Sequence, residues 1–270
     1  MPTVQDIRRK AGDEPITMLT AYDAPTAAAV ENAGLDVVLV GDSMGNAVMG
    51  YDSTLPVTMD DVASRTGAVA RATEDTLVVA DMPFLSFGAS EEASVENAGR
   101  LLKDAGAQAV KLECGEHTVE LTDTLTSLGI PVMAHLGLTP QHVNQLGGYT
   151  RQGTTEDTAS EILRLAEAHA DAGAFSLVLE HVPANVAAQI TDAIDIPTIG
   201  IGAGPDTDGQ VLVVTDVLGM TDWSPPFAKQ YGDLKAEMES AITEYKRDVE
   251  NGDFPASEHS HAADDLDDLY

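Results

Sequence analysis

Three times the chain repeats one short phrase: an Ala-Gly pair, an apolar run, then a carboxylate. The copies run from Ala33-Gly34 to Asp42, from Ala105-Gly106 to Glu113 and from Ala172-Gly173 to Glu180. Gly suits the left-handed position that closes a helix, and an unbroken apolar run reads as a strand buried on both faces. A fourth run, 77–80, ends in Asp81 in the same way. The spacing is too irregular for a solenoid, so the phrase is an echo of repeated βα units. Parallel strands that end in acids gather those acids at one mouth.

Candidate strands fall at 16–19, 37–40, 77–80, 109–112, 131–134, 175–179, 197–201 and 211–214. Between most of them lie segments with helical spacing and good starts. Thr58 followed by Asp61 has the form of a capping box, and Ser90 before Glu91 and Glu92 matches an N-cap with an acidic first turn. In 156–172, Ile162, Leu163, Leu165 and Ala166 are placed to cover a sheet. Eight strands alternating with helices in 270 residues predict a (β/α)8 barrel. An open doubly wound sheet is the alternative, but it usually has fewer strands and a Gly-rich loop after the first. The barrel is expected to occupy 1–254, with an acidic, disordered tail over 255–270. The stretches 41–57 and 137–153 carry too many loop signals for bare connections. Both follow strand C-termini, where barrel enzymes keep their working loops.

Charge narrows the partners. The chain has 45 acidic residues against 14 basic ones, a formal net charge of −31. Nucleic acids and anionic membranes require basic surface, so neither is an expected partner. An acidic surface of this kind suits high salt, where screening is strong. The one cysteine, Cys114, permits no intramolecular disulfide. The first ten residues lack the apolar core of a signal peptide, and no apolar stretch approaches a membrane span. A cytoplasmic protein is expected.

Asp42, Asp81 and Glu113 follow strands two, three and four, which are neighbours in a sequentially wound barrel. Three converging carboxylates repel unless something positive sits among them, and hard oxygen ligands favour Mg²⁺. The bland reading is that each acid caps the helix that follows it. Lys111 lies two positions before Glu113, so both side chains point to the same side of the strand. A lysine there either meets an anionic substrate or pairs with Glu113 to fill the barrel. His135 ends strand five and suits a positioning hydrogen-bond donor. Glu180 ends strand six, where a carboxylate facing a metal-bound 2-oxo acid removes the proton beside the carbonyl. Gly200, Gly202 and Gly204 follow strand seven, either to hold a phosphate or to allow tight turning. Cys114 reads as an inert small residue.

Together these phrases resemble the ketopantoate hydroxymethyltransferase family. The matching segments include Thr20-Ala21-Tyr22-Asp23, Val40-Gly41-Asp42-Ser43-Met44-Gly45, Asp52-Ser53-Thr54-Leu55-Pro56-Val57-Thr58 and Ala80-Asp81-Met82-Pro83-Phe84. Val110-Lys111-Leu112-Glu113, His135-Leu136-Gly137-Leu138-Thr139-Pro140-Gln141, Gly147-Gly148-Tyr149, Val178-Leu179-Glu180, Asp208-Gly209-Gln210 and Pro226-Phe227-Ala228-Lys229 continue the series in order. The resemblance implies a barrel of the phosphoenolpyruvate/pyruvate type, with Mg²⁺ on Asp42, Asp81 and Glu113. It implies that Asp42, Ser43, Asp81, Lys111 and His135 surround the 2-oxo acid and that Glu180 is the catalytic acid/base. It also implies 5,10-methylenetetrahydrofolate or a related pterin as cosubstrate, and a large ring-like homo-oligomer such as a decamer. Cys114 and His181 depart from the family pattern beside the site without replacing a site residue.

Two other readings compete. A 2-oxo-acid lyase or mutase of the same superfamily would use Cys114 as a working acid and release pyruvate. A non-catalytic acidic binding protein would show no Mg²⁺-dependent turnover and would have no reason to place acids at successive strand ends.

Overall fold

The computed structural model describes residues 2–262. Eight parallel strands close into a barrel in sequential order, with β1 (Ile16–Thr20) paired to β8 (Gly209–Leu212). Between them run β2 (Val37–Val40), β3 (Leu77–Asp81), β4 (Ala109–Glu113), β5 (Val132–Gly137), β6 (Ser176–Glu180) and β7 (Thr198–Ile201). Every residue of β2, β3 and β4 is buried, as strands require when barrel interior and helices cover both faces. The closed (β/α)8 barrel expected from the sequence is therefore the observed fold.

The interior is filled by Ile16, Met18, Val37, Leu39, Leu77, Val79, Ala109, Met133, Val178, Ile199 and Val211. Each fully buried Leu, Ile or Val side chain contributes about 1.5–3 kcal/mol of transfer free energy. Side chains alternate along a strand, so the same inward rows continue to the C-terminal end. There the rows change character. Val79 is followed inward by Asp81, Ala109 by Lys111 and Glu113, Met133 by His135, and Val178 by Glu180.

The helices start where local chemistry directs. Thr58 Oγ1 accepts from the Asp61 N–H at 3.2 Å while Asp61 Oδ2 accepts from the Thr58 N–H at 3.0 Å, closing the capping box of helix Met59–Ala70. Ser90 caps helix Glu91–Lys103 through the Ala93 N–H. Helix Glu156–Asp171 buries Ile162, Leu165, Ala166 and His169, whereas Leu163 is only partly covered.

One expectation shifts at the seam of the barrel. The last strand begins at Gly209 rather than 211, because Gly209 pairs with Ile16. A Cβ at Gly209 would lie 2.4 Å from the Ile16 carbonyl oxygen, so the closing strand needs a glycine that the apolar pattern does not announce. The described residues gather into two compact units, one ending at Val214 and a second starting at Thr215. The second unit contains helix Leu234–Asn251, capped by Asp233 and closed by Gly252 at φ 78°. In the expected tail, Ser257–His259 forms a 3₁₀ turn, and the disorder expected over 263–270 lies outside the described residues. No described helix is long and apolar enough to cross a membrane.

Candidate active site

At the C-terminal mouth, four consecutive strands contribute one polar row. Asp81 Oδ1 lies 2.9 Å from Lys111 Nζ, Lys111 Nζ lies 3.3 Å from His135 Nδ1, and His135 Nε2 lies 3.2 Å from Glu180 Oε2. An ammonium has only protons to give, so His135 Nδ1 accepts and the ring proton sits on Nε2, toward Glu180. Burial, seconded by the Lys111 charge, pushes the His135 pKa below its ordinary value. The imidazole is thus a neutral link between a cation and a carboxylate. Burial by itself would discharge Lys111, but Asp81, Asp42 and Glu113 outweigh it and hold the ammonium above its ordinary pKa.

The carboxylates do not cap helices. Asp81 Oδ2 accepts from the Asp42 backbone N–H at 2.9 Å, and Asp42 Oδ2 accepts from Gln141 Nε2 at 2.9 Å. Both oxygens of Glu113 face the Gln141 backbone N–H, at 3.2 and 3.0 Å. The side chains of Asp42, Asp81 and Glu113 are all almost fully buried. Burial, then repulsion from Asp81 and Glu113, drives the Asp42 pKa well above the usual carboxylate range. Burial also raises Glu113, reinforced by Glu180 and Asp81 and opposed by Lys111 and the Gln141 N–H.

Among the described residues, no three His, Cys, Asp or Glu side chains stand together as a ready-made metal cage. Lys111 engages Asp81, and Gln141 engages both Asp42 and Glu113. Yet one ammonium faces three buried carboxylates, and burial first, with repulsion among the acids second, raises the carboxyl pKa of Asp42 and Glu113. Hard oxygen donors in negative excess suit a divalent cation such as Mg²⁺, which commonly takes one or two carboxylates and completes its shell with water and substrate oxygens.

Ser43 stands beside Asp42, and its Oγ lies 2.9 Å from the hydroxyl of Tyr22, a buried residue just beyond β1. Burial and the charges of Asp81 and Asp42 raise the Tyr22 pKa, against the hydrogen bond to Ser43. Partial burial, with the charges of Asp42, Glu180 and Glu113, raises the hydroxyl pKa of Tyr149, in the loop after β5.

The structure therefore brings Asp42, Ser43, Asp81, Lys111, Glu113, His135 and Glu180 to one mouth. Tyr22 and Gln141 join them, although composition and spacing single out neither. Their one signal is membership of the short motifs that hold the other site residues. The Gly200–Gly204 loop is explained by packing: a Cβ on Gly204 would lie 2.4 Å from the Ala184 Cβ. Cys114 is buried, its Sγ donates to the Leu112 carbonyl at 3.2 Å, and burial pushes its thiol pKa up to about 12. Such a thiol is inert packing.

Among solved structures, the fold is similar to phosphonopyruvate hydrolase in complex with oxalate and Mg²⁺, with TM-score 0.61 and 15% identity over 96% of this chain and 93% of that one. It is also similar to 2,3-dimethylmalate lyase, a member of the PEP mutase/isocitrate lyase superfamily, with TM-score 0.59 and 19% identity over 92% and 89% of the two chains. At this identity the likeness concerns the fold. Sequence relatives carry more. The 3-methyl-2-oxobutanoate hydroxymethyltransferase of Halobacterium salinarum is 69% identical over 100% of both chains, and that of Haloarcula marismortui is 66% identical over 100% of both. The enzyme of that name from Trichodesmium erythraeum is 50% identical over 94% of this chain and 97% of its own. A model of the ketopantoate hydroxymethyltransferase family matches residues 2–257. With the acids, the lysine and the histidine of its motifs gathered at one barrel mouth, the chain belongs to the ketopantoate hydroxymethyltransferase family.

Proposed function

We infer that this chain transfers a hydroxymethyl group to 3-methyl-2-oxobutanoate, giving 2-dehydropantoate. The observation that carries the reading is the inward row Asp81–Lys111–His135–Glu180, in a chain whose full-length relatives are named for that activity. Glu180 is the base that takes the proton from C3, beside the carbonyl. His135, neutral and turned toward Glu180, holds that carboxylate in one orientation. Lys111 keeps a positive charge where negative charge grows on the 2-oxo acid as the proton leaves, which is where stabilisation accelerates a reaction. Ser43, set by Tyr22, offers a hydroxyl to the substrate oxygens.

Asp42, Asp81 and Glu113 are the residues that would hold Mg²⁺. When bound there, the ion supplies a Lewis acid that polarises the 2-oxo group. The one-carbon donor is 5,10-methylenetetrahydrofolate or a related pterin, and water completes the hydroxymethyl group. The excess of acids supports a further reading, adaptation to high salt, while a homo-oligomer in the cytoplasm is the reading that the family resemblance supports.

An assay of the full chain in molar KCl tests this function. With 3-methyl-2-oxobutanoate, 2-dehydropantoate is expected from at least one pterin donor, and its formation should stop when Mg²⁺ is chelated. Folded protein that forms no product with any donor, or releases pyruvate from 2-oxo acids instead, would overturn the reading.

A further inference from the structure

Gln141 occupies a place in the site that neither composition nor spacing foretells. Its side chain is buried at 6% exposure, and its amide nitrogen donates to two acceptors, Asp42 Oδ2 at 2.9 Å and the Met82 carbonyl at 3.0 Å. Both neighbours only accept, so the nitrogen end of the amide, not the oxygen, must face them. The backbone N–H of the same residue donates to Glu113. One residue from the loop after β5 thus joins Asp42 beyond β2, the backbone just beyond β3, and the acid that ends β4.

This arrangement has a chemical consequence for Asp42. A buried carboxylate beside Asp81 and Glu113 is pressed to take up a proton or to turn away. The Gln141 amide opposes both, because it satisfies Oδ2 in its ionised form and pins the plane of the carboxylate. With Oδ2 turned to the Gln141 amide, Oδ1 is the freer oxygen of Asp42 to present to a cation. We propose that Gln141 is the positioning residue that makes Asp42 a one-oxygen ligand and ties its orientation to that of Glu113. The proposal rests on the reading that Asp42 holds a divalent cation. Groups of this kind that orient metal ligands typically cost 10–100-fold in metal affinity when removed.

The test is a calorimetric titration of Mg²⁺, and separately of Mn²⁺, into chelator-stripped full chain in molar KCl. Gln141→Met keeps the volume and removes the donor, while Gln141→Asn keeps an amide one methylene too short to reach. Both variants should bind each metal about 10–100-fold more weakly than wild type at temperatures well below their melting transitions. Circular dichroism establishes that the compared proteins are folded, and if Gln141→Met does not fold, Gln141→Asn decides. A merely structural role would lower the melting temperature and leave the metal affinity of the folded protein alone. Folded variants that bind both metals within about twofold of wild type would overturn the proposal while leaving the metal reading intact. A wild-type chain that binds neither metal would overturn both.

Discussion

Glu180 illustrates how one residue's role is set by its neighbours. It ends β6 on the inward row, and its side chain keeps 17% of its surface open, against 3% for His135. A base needs that opening, since it must reach a substrate proton, whereas an orienting group does not. Glu180→Gln keeps the shape and removes the basicity. We expect the variant to fold and to bind the 2-oxo acid. Exchange of the C3 proton of 3-methyl-2-oxobutanoate into D₂O, followed by NMR without pterin, should slow by roughly 10²–10⁴-fold. Unchanged exchange would place the base elsewhere. Cys114, one residue beyond Glu113, makes the contrast: with its thiol buried and held protonated, it adds packing and no chemistry.

At the scale of elements, the instructive strand is β8. Its register is decided by the seam with β1, where Gly209 opposes Ile16. A methyl group at 209 would meet the Ile16 carbonyl oxygen at 2.4 Å and its Cβ at 2.7 Å, and backbone cannot swing aside as a flexible side chain can. Gly209→Ala should therefore destabilise by about 1–3 kcal/mol through overpacking. For a domain of this size that corresponds to roughly 2–4 °C in Tm per kcal/mol. Thermal melts read it, and an unchanged Tm would show that the seam relaxes. The helix starts at Thr58 and Ser90 were legible beforehand, because a cap is a contract between residues three apart.

For the whole molecule, the dominant fact is a formal net charge of −31. Surface acids repel one another over a distance set by screening, about 3 Å at 1 M salt and about 30 Å at 0.01 M. The acids of the site feel bulk salt less, since Asp42, Asp81 and Glu113 are buried away from it. We expect Tm and helical content to fall on desalting, with partial rescue by Mg²⁺ and 2-oxo acid acting through the native state. Circular dichroism and light scattering across a KCl series check this. An unchanged Tm and scattering mass from molar to millimolar salt would sink the high-salt reading.

The sequence by itself determined the barrel, the helix starts and the acids at strand ends, because apolar runs, period-two alternation and caps are written in residues close together along the chain. It could list Asp42, Asp81, Glu113 and Glu180 as candidates. It could not say which oxygen meets which donor. Only closure of the barrel brought Gln141 to Asp42, 99 residues away, and Tyr22 to Ser43, 21 residues away. The same closure put Gly209 against Ile16. Long-range hydrogen bonds and close backbone approaches leave no periodic trace in a sequence, so the acids could be read one by one and their arrangement could not.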